Sequence, residues 1–170
     1  MKLLQATGDY DWAAVLRLIR DAFAYMEGRI DPPSSMHMLR ADDIAESARN
    51  GEVWVIEDAG APVACMVLTP KSGRLYLGRL AVAAGYRGRG LSRRLVEKAE
   101  ARATALGFEV LELQSRIELV ENHAIFAAMG FRNTAETRHP GFDRATSLTF
   151  QKRVGAAVSP ASKPQQGGQL

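Results

Sequence analysis

The sequence predicts a single α/β domain: a mixed, mostly antiparallel sheet of about seven strands, with about four helices divided over its two faces. Three observations carry that expectation. A chain of 170 residues with 46% hydrophobic and 24% charged side chains has the size and balance of one globular domain. The stretch from residue 52 to residue 82 holds three apolar runs in succession, separated by turn residues. Beyond it the period changes from strand to helix and back to strand, as in a crossover connection.

The elements follow in order. Residues 2–6 are a short apolar run suited to a first strand. Val15, Leu18, Ile19, Ala22, Phe23 and Met26 recur at helical spacing, with Asp9 or Asp11 placed to cap the start. In residues 28–36, GRIDPPSSM, Pro32 and Pro33 forbid a continuing helix. Residues 41–49 read as a second helix, closed by Asn50-Gly51. EVWVIE (52–57) and PVACMVLT (62–69) are strands joined at Asp58-Ala59-Gly60, and RLYLGRLAV (74–82) extends the meander. Leu91, Leu95, Ala99, Ala103 and Leu106 form one helical stripe that begins near Gly90 and stops at Gly107. EVLELQ (109–114) is the next strand, and 119–129 a shorter helix that leads through Gly130-Phe131 into another strand. A last strand, 146–152, follows a loop containing His139, Pro140 and Gly141. The domain therefore spans residues 1–154. From Gly155 the chain reads GAAVSPASKPQQGGQL, without an apolar period, and is expected to be a flexible tail.

Composition excludes several classes. The lone Cys65 cannot make an internal disulfide. No apolar run approaches the roughly 20 residues that a membrane-spanning helix needs. The start, MKLLQATGDYDW, lacks a signal peptide's apolar stretch, so the expected setting is the cytoplasm, with no membrane partner. Twenty-two basic and nineteen acidic residues leave a net charge of only +3, and the densest basic stretch is Arg87, Arg89, Arg93 and Arg94. A nucleic-acid partner is not expected, because that stretch has a better use.

The use is in LAVAAGYRGRGLSRRL, residues 80–95: a strand ends, a Gly/Arg-rich turn follows, and a helix starts at once. Unpaired N–H groups at a helix N-terminus, with its dipole, make an anion site. Gly88 and Gly90 remove Cβ atoms, so a phosphate can approach the main chain, while the arginines add charge and planar donors. The chain has no GxxxxGK[ST], which argues against a nucleoside triphosphatase. Gly88-Arg89-Gly90 also lacks the third glycine of a dinucleotide fingerprint. A plain Gly-rich turn carrying surface arginines is the bland alternative.

The stretch resembles the GCN5-related N-acetyltransferase (GNAT) family. That family's acetyl-CoA signature, [Q/R]-x-x-G-x-[G/A], reads here Arg87-Gly88-Arg89-Gly90-Leu91-Ser92, with Ser at the last small position. Gly130-Phe131 after a short helix is similar to a second landmark, and the element order matches from residue 2 to about 152. The resemblance implies a sheet splayed between strands four and five, acetyl-CoA as co-substrate and no metal. It implies transfer of an acetyl group to a primary amine of a small molecule or peptide by direct attack. It places Leu80, Ala81 and Val82 on the pantetheine arm and Arg87, Gly88, Arg89, Gly90, Leu91 and Ser92 on the diphosphate. Main-chain N–H groups near residues 80–82 would serve the oxyanion.

The catalytic positions depart from the family's pattern. Where many members carry a tyrosine that protonates the thiolate, this chain has Phe126, expected to pack on the cofactor. Asn122 lies one turn earlier on the same face and either touches the cofactor through a water or its amide, or merely decorates the helix. Where several members carry Glu in the fourth strand stands Tyr76. Glu112, in the next strand, is either a cleft carboxylate of raised pKa or a group on a solvated face or in a structural role. Glu112 and Asn122 are the catalytic candidates; His123 and His139 are either further proton carriers or plain surface histidines, with the His139 loop a candidate wall of the amine site. Arg29, Asp31, Ser34 and Ser35, beside Tyr25 and Met26, are either on the acceptor side or part of a rigid Pro-Pro turn that meets no ligand. A homodimer is left open. The rival reading is a catalytically silent acyl-CoA-binding or sensing module.

Overall fold

The computed structural model of the protein describes residues 1–155. Nearly all of the expected tail therefore lies outside the described residues. Seven strands form one sheet: β1 (Lys2–Ala6), β2 (Glu52–Asp58), β3 (Ala61–Lys71), β4 (Arg74–Val82), β5 (Val110–Arg116), β6 (Arg132–Thr137) and β7 (Ser147–Arg153). The helices are α1 (Trp12–Phe23), α2 (Ala41–Asn50), α3 (Leu91–Ala105) and α4 (Val120–Ala128). The strand order is β1-β2-β3-β4-β5-β7-β6, and every neighbouring pair is antiparallel except β4–β5. That pair is parallel because α3 carries the chain back across the sheet between them.

The apolar run of β3 is explained by its two covered faces. Ala64, Met66 and Leu68 pack with Leu91, Leu95, Val96 and Ala99 of α3, while Cys65 and Val67 pack with Val15, Leu18 and Ile19 of α1 and Ile44 of α2. A strand buried on both sides has no polar alternation to show. Burial also pushes the Cys65 thiol up to about 12.

Local signals set the helix ends. The side chain of Asp11, not Asp9, accepts the Ala14 N–H at 3.1 Å and caps α1. The helical stripe read through to Met26 breaks at Phe23, and Ala24–Met26 form a 3₁₀ turn instead. At the end of α3 the Phe108 N–H reaches the Ala103 carbonyl and the Gly107 N–H reaches that of Thr104. This paired closure requires a left-handed residue, and Gly107 supplies it at φ +87. α4 ends the same way: Phe131 N–H bonds to the Phe126 carbonyl and Gly130 N–H to that of Ala127. That closure turns the chain sharply into β6, which is exposed along its whole length and pairs with β7 alone.

Candidate active site

β4 and β5 pair at only two register positions, Leu75 with Leu111 and Tyr76 with Glu112. Beyond them the strands part, and the β4 edge from Leu77 to Val82 is left without a partner strand on that side. A bulge in the β3–β4 ladder accompanies the parting, and Arg79 holds φ +51 there, a conformation uncommon for a side-chain-bearing residue. The gap opens into a cleft of about 1120 Å³.

One end of the cleft is the turn into α3. Gly88 and Gly90 sit at φ +76 and +78, and a Cβ on either would meet no atom within 4 Å. The requirement at both is therefore conformational, and the space above them is open to a ligand. No side chain caps α3. The N–H groups of Leu91, Ser92 and Arg93 have no acceptor among the described residues, and the first closing bond is Arg94 N–H to the Gly90 carbonyl at 3.0 Å. All three residues line the cleft. Arg87 reaches across it, donating from Nη2 to the Ala22 carbonyl at 3.2 Å and lying 5.7 Å from the Tyr25 ring centre. An uncapped helix start, glycines with open space above them and an unpaired strand edge fit the diphosphate and pantetheine of a CoA thioester.

Most of the expected cofactor residues meet here: Leu80, Ala81, Val82, Arg87, Gly88, Gly90, Leu91, Ser92, Asn122 and Phe126 all line the cleft. Arg89 does not; its guanidinium stacks 4.8 Å from the ring centre of Tyr86, which does line it. Arg93, from the same basic stretch, lines the cleft. The Phe126 ring is wedged between Phe131 and Phe150, at 6.2 and 5.9 Å between centres. Asn122 donates from Nδ2 to the Tyr25 hydroxyl at 3.1 Å, tying α4 to the turn after α1.

The structure does not bring Glu112 to the cleft. Its carboxylate is buried, accepting from Arg74 Nε at 2.9 Å and Gln151 Nε2 at 2.8 Å on either side. It therefore has a structural role, in an ion pair within the sheet, and is neither a cleft group nor on a solvated face. Tyr76, its register partner, does line the cleft, with burial pushing its phenol up and Glu112 adding to the shift. His123 packs on Phe150 and bonds through Nε2 to the Arg116 carbonyl at 3.0 Å.

The other end of the cleft is assembled from distant segments. Arg116, at the end of β5, donates from Nη1 to the Pro32 carbonyl at 2.6 Å and from Nη2 to that of Pro33 at 3.3 Å. Asp31 donates its N–H to Glu118 at 3.2 Å, and Arg29 pairs with Glu121 at 2.7 Å. Ser34, Ser35 and Met36 line this wall, and His139 faces them from the loop between β6 and β7. His139 Nδ1 lies 2.5 Å from Thr146 Oγ1. Burial and the nearby Arg116 hold the imidazole below its usual value, with Glu118 opposing. Sequence reasoning missed the role of Arg116, since one arginine at a strand end leaves no pattern, and placed Tyr25 on the acceptor wall without its bond to Asn122. Among the described residues no group of three or more His, Cys, Asp or Glu is placed to hold a metal, and no helix is long and apolar enough to cross a membrane.

The sequence profile of the Acetyltransferase (GNAT) family matches residues 12–131. The chain belongs to that family. Solved structures agree in fold. The ribosomal-protein-S18-alanine N-acetyltransferase of Escherichia coli shares 15% identity over 96% of this chain and 100% of its own, with a TM-score of 0.69. An acetyltransferase of Streptococcus agalactiae shares 18% over 90% and 98%, at 0.71. A GNAT family acetyltransferase of Elizabethkingia anophelis, solved with acetyl-CoA bound, shares 14% over 90% and 97%, at 0.64. No curated protein matches the chain. This GNAT protein is thus an acyltransferase whose acyl donor is acetyl-CoA.

Proposed function

We propose that the protein moves the acetyl group of acetyl-CoA to a primary amine by direct attack, both substrates being bound together. One observation carries the reading: a single cleft is lined at one end by the α3 turn and at the other by Ser34, Ser35 and His139. A donor and an acceptor can therefore share it. Acetyl-CoA supplies an acyl carbon activated as a thioester; the chain supplies position and protons.

The amine must be neutral to attack, so its extra proton needs a destination. His139 serves as that base. Thr146 fixes one ring nitrogen, no described residue bonds the other, and the lowered pKa favours the neutral ring. Phe126 has no proton for the leaving thiolate, and Tyr25 takes that task, regaining by way of solvent the second proton that the nitrogen sheds as the amide forms. Its hydroxyl accepts from Asn122, which orients it and leaves its own proton to donate into the cleft. Asn122 is on this reading a positioning residue. The absence of a hydroxyl at Phe126 is what favours the rival, a silent acyl-CoA sensor.

Thiol release from acetyl-CoA over an amine panel separates the two. Transfer gives amine-dependent release with intersecting initial-rate lines, whereas a sensor binds CoA and releases nothing. Tyr25→Phe should lower kcat by about 10²-fold or more with little change in CoA affinity. An unchanged kcat would remove Tyr25 from the mechanism.

A further inference from the structure

The charges along the cleft specify the kind of amine it takes. Among the described residues, its charged lining consists of Arg87, Arg93, Arg116, Arg138 and Glu121, with His139 as the titratable neighbour. The lone carboxylate is already engaged. Glu121 Oε2 lies 2.7 Å from Arg29 Nη1, and Oε1 accepts from Nη2 at 3.0 Å. Arg87 and Arg93 belong to the α3 end. Arg116 and Arg138 belong to the other: Arg138 precedes His139 in the chain, and Arg116 is close enough to depress the His139 pKa.

These two arginines have donors to spare. Arg116 uses two N–H groups on the Pro32 and Pro33 carbonyls, which fix the guanidinium and leave the rest of its donors. Arg138 makes no hydrogen bond or ion pair with any described residue. Two acidic groups stand near Arg116, but neither lines the cleft. Asp31 pairs with Arg144 at 3.1 Å. Glu118 Oε2 accepts from the Asp31 N–H and lies 3.9 Å from Arg144, while its Oε1 is buried without a partner.

We infer that the acceptor is a small amine carrying an oxyanion, an amino carboxylic acid in the simplest case, with the oxyanion held by Arg116 and Arg138 and the amine directed toward the donor end. The planar fork of arginine suits a carboxylate or a phosphate monoester. A polyamine or an aminoglycoside would instead bring further ammonium groups into a cleft of guanidiniums with no unpaired carboxylate among its described lining residues to receive them. The inference rests on the acetyltransferase reading above.

The test uses the full chain, acetyl-CoA and matched acceptors: L-glutamate, L-methionine and β-alanine beside their carboxamides, phosphoethanolamine beside ethanolamine, and spermidine. We expect kcat/KM for the best oxyanion to exceed that of its neutral partner by about 10- to 100-fold, the size of a charge-assisted contact. The phosphate pair and the carboxylate pairs show which oxyanion is preferred. In Arg138→Gln that ratio should fall toward one, with KM carrying the change, while the rise in Tm on adding CoA stays as in the parent protein. Spermidine or the carboxamides turned over as well as the acids would overturn the proposal, as would a ratio that survives in Arg138→Gln. Thiol release with none of these amines, in a protein whose Tm CoA still raises, would remove transfer itself and the acceptor with it.

Discussion

At the α3 end of the cleft the residues that matter are neighbours in sequence; at the acceptor end they come from opposite parts of the chain. Arg87 to Ser92 follow one another through a single turn. By contrast, 84 positions separate Arg116 from Pro32, 92 separate Arg29 from Glu121, 97 separate Asn122 from Tyr25, and 113 separate Arg144 from Asp31. The first end forms wherever a strand runs into a helix. The second exists only once the whole sheet has closed and α4 has docked against the turn after α1. Changes at the first should act on CoA binding, and changes at the second on the acceptor and on proton delivery, with little effect on CoA affinity.

The largest effect should come from the first. In Gly90→Asp a carboxylate would stand where the diphosphate meets the α3 N-terminus. The new Cβ meets no atom, and Asp tolerates the left-handed backbone better than most residues, so the fold should persist. CoA at a hundredfold excess over its Kd stabilises a native protein by about 2.7 kcal/mol, and the variant should lose that rise in Tm. A folded Gly90→Asp protein with the parent's shift would show that the anion sits elsewhere.

Phe126→Ala should come next. Its ring lines the cleft while packing on Phe131 and Phe150, so truncation removes a contact for CoA and part of the core. The stability cost should be about 1–3 kcal/mol, below the range for a fully buried Phe because the ring is partly exposed. CoA affinity should fall in parallel. Unchanged affinity in the folded variant would place the ring away from the cofactor.

Arg116→Ala should act at the other end. The Pro32 and Pro33 carbonyls would lose their donors, raising the acceptor KM by about tenfold and costing about 1–2 kcal/mol of stability. Arg116→Lys should not rescue it, because one ammonium cannot serve two carbonyls and an oxyanion at fork geometry. A loss of CoA binding in either variant would break the separation between the two ends.

The same division decides what was legible in the sequence. The α3 turn could be read because each of its demands leaves a residue-level mark: glycine where φ is positive, arginine where charge is wanted, a helical stripe directly after. Even there the motif points Arg89 to the diphosphate, whereas its guanidinium stacks on the Tyr86 ring. Glu112 was placed correctly on its strand, but nothing local announces that Arg74 and Gln151, on the strands to either side, will claim its oxygens. The helix that began at Asp11 was expected to run to Met26, but tertiary context ended it at Phe23, and the Tyr25 ring in the new turn met both Arg29 and Arg87. β6 is exposed throughout, so no apolar period marked its bounds. Contacts between positions about 80 or more apart have no spacing to read.

The smallest effect expected concerns the ion pair that joins the loop after α1 to α4. The hydrogen bond from Arg29 holds the Glu121 carboxyl down at about 2, helped by backbone bonding and the Arg29 charge, against an ordinary value of 4.5. A carboxyl whose folded pKa lies below its unfolded one stabilises the fold above the unfolded value and loses that contribution as pH falls through the folded one. The contribution should therefore be complete above about pH 4.5 and gone near pH 2. Both side chains are more than 40% exposed, so the effect is small and screened by salt. Glu121→Gln should thus have a slightly lower Tm than the parent at pH 7 and low salt. The gap should close on acidification toward pH 2, and at neutral pH in about 1 M salt. At each pH the CoA affinity of the variant should match the parent's, since neither side chain of the pair bonds a residue of the α3 turn. Parallel Tm curves across the whole pH range would mean that the pair contributes nothing, and a change in CoA affinity would mean that the two ends are coupled through α4.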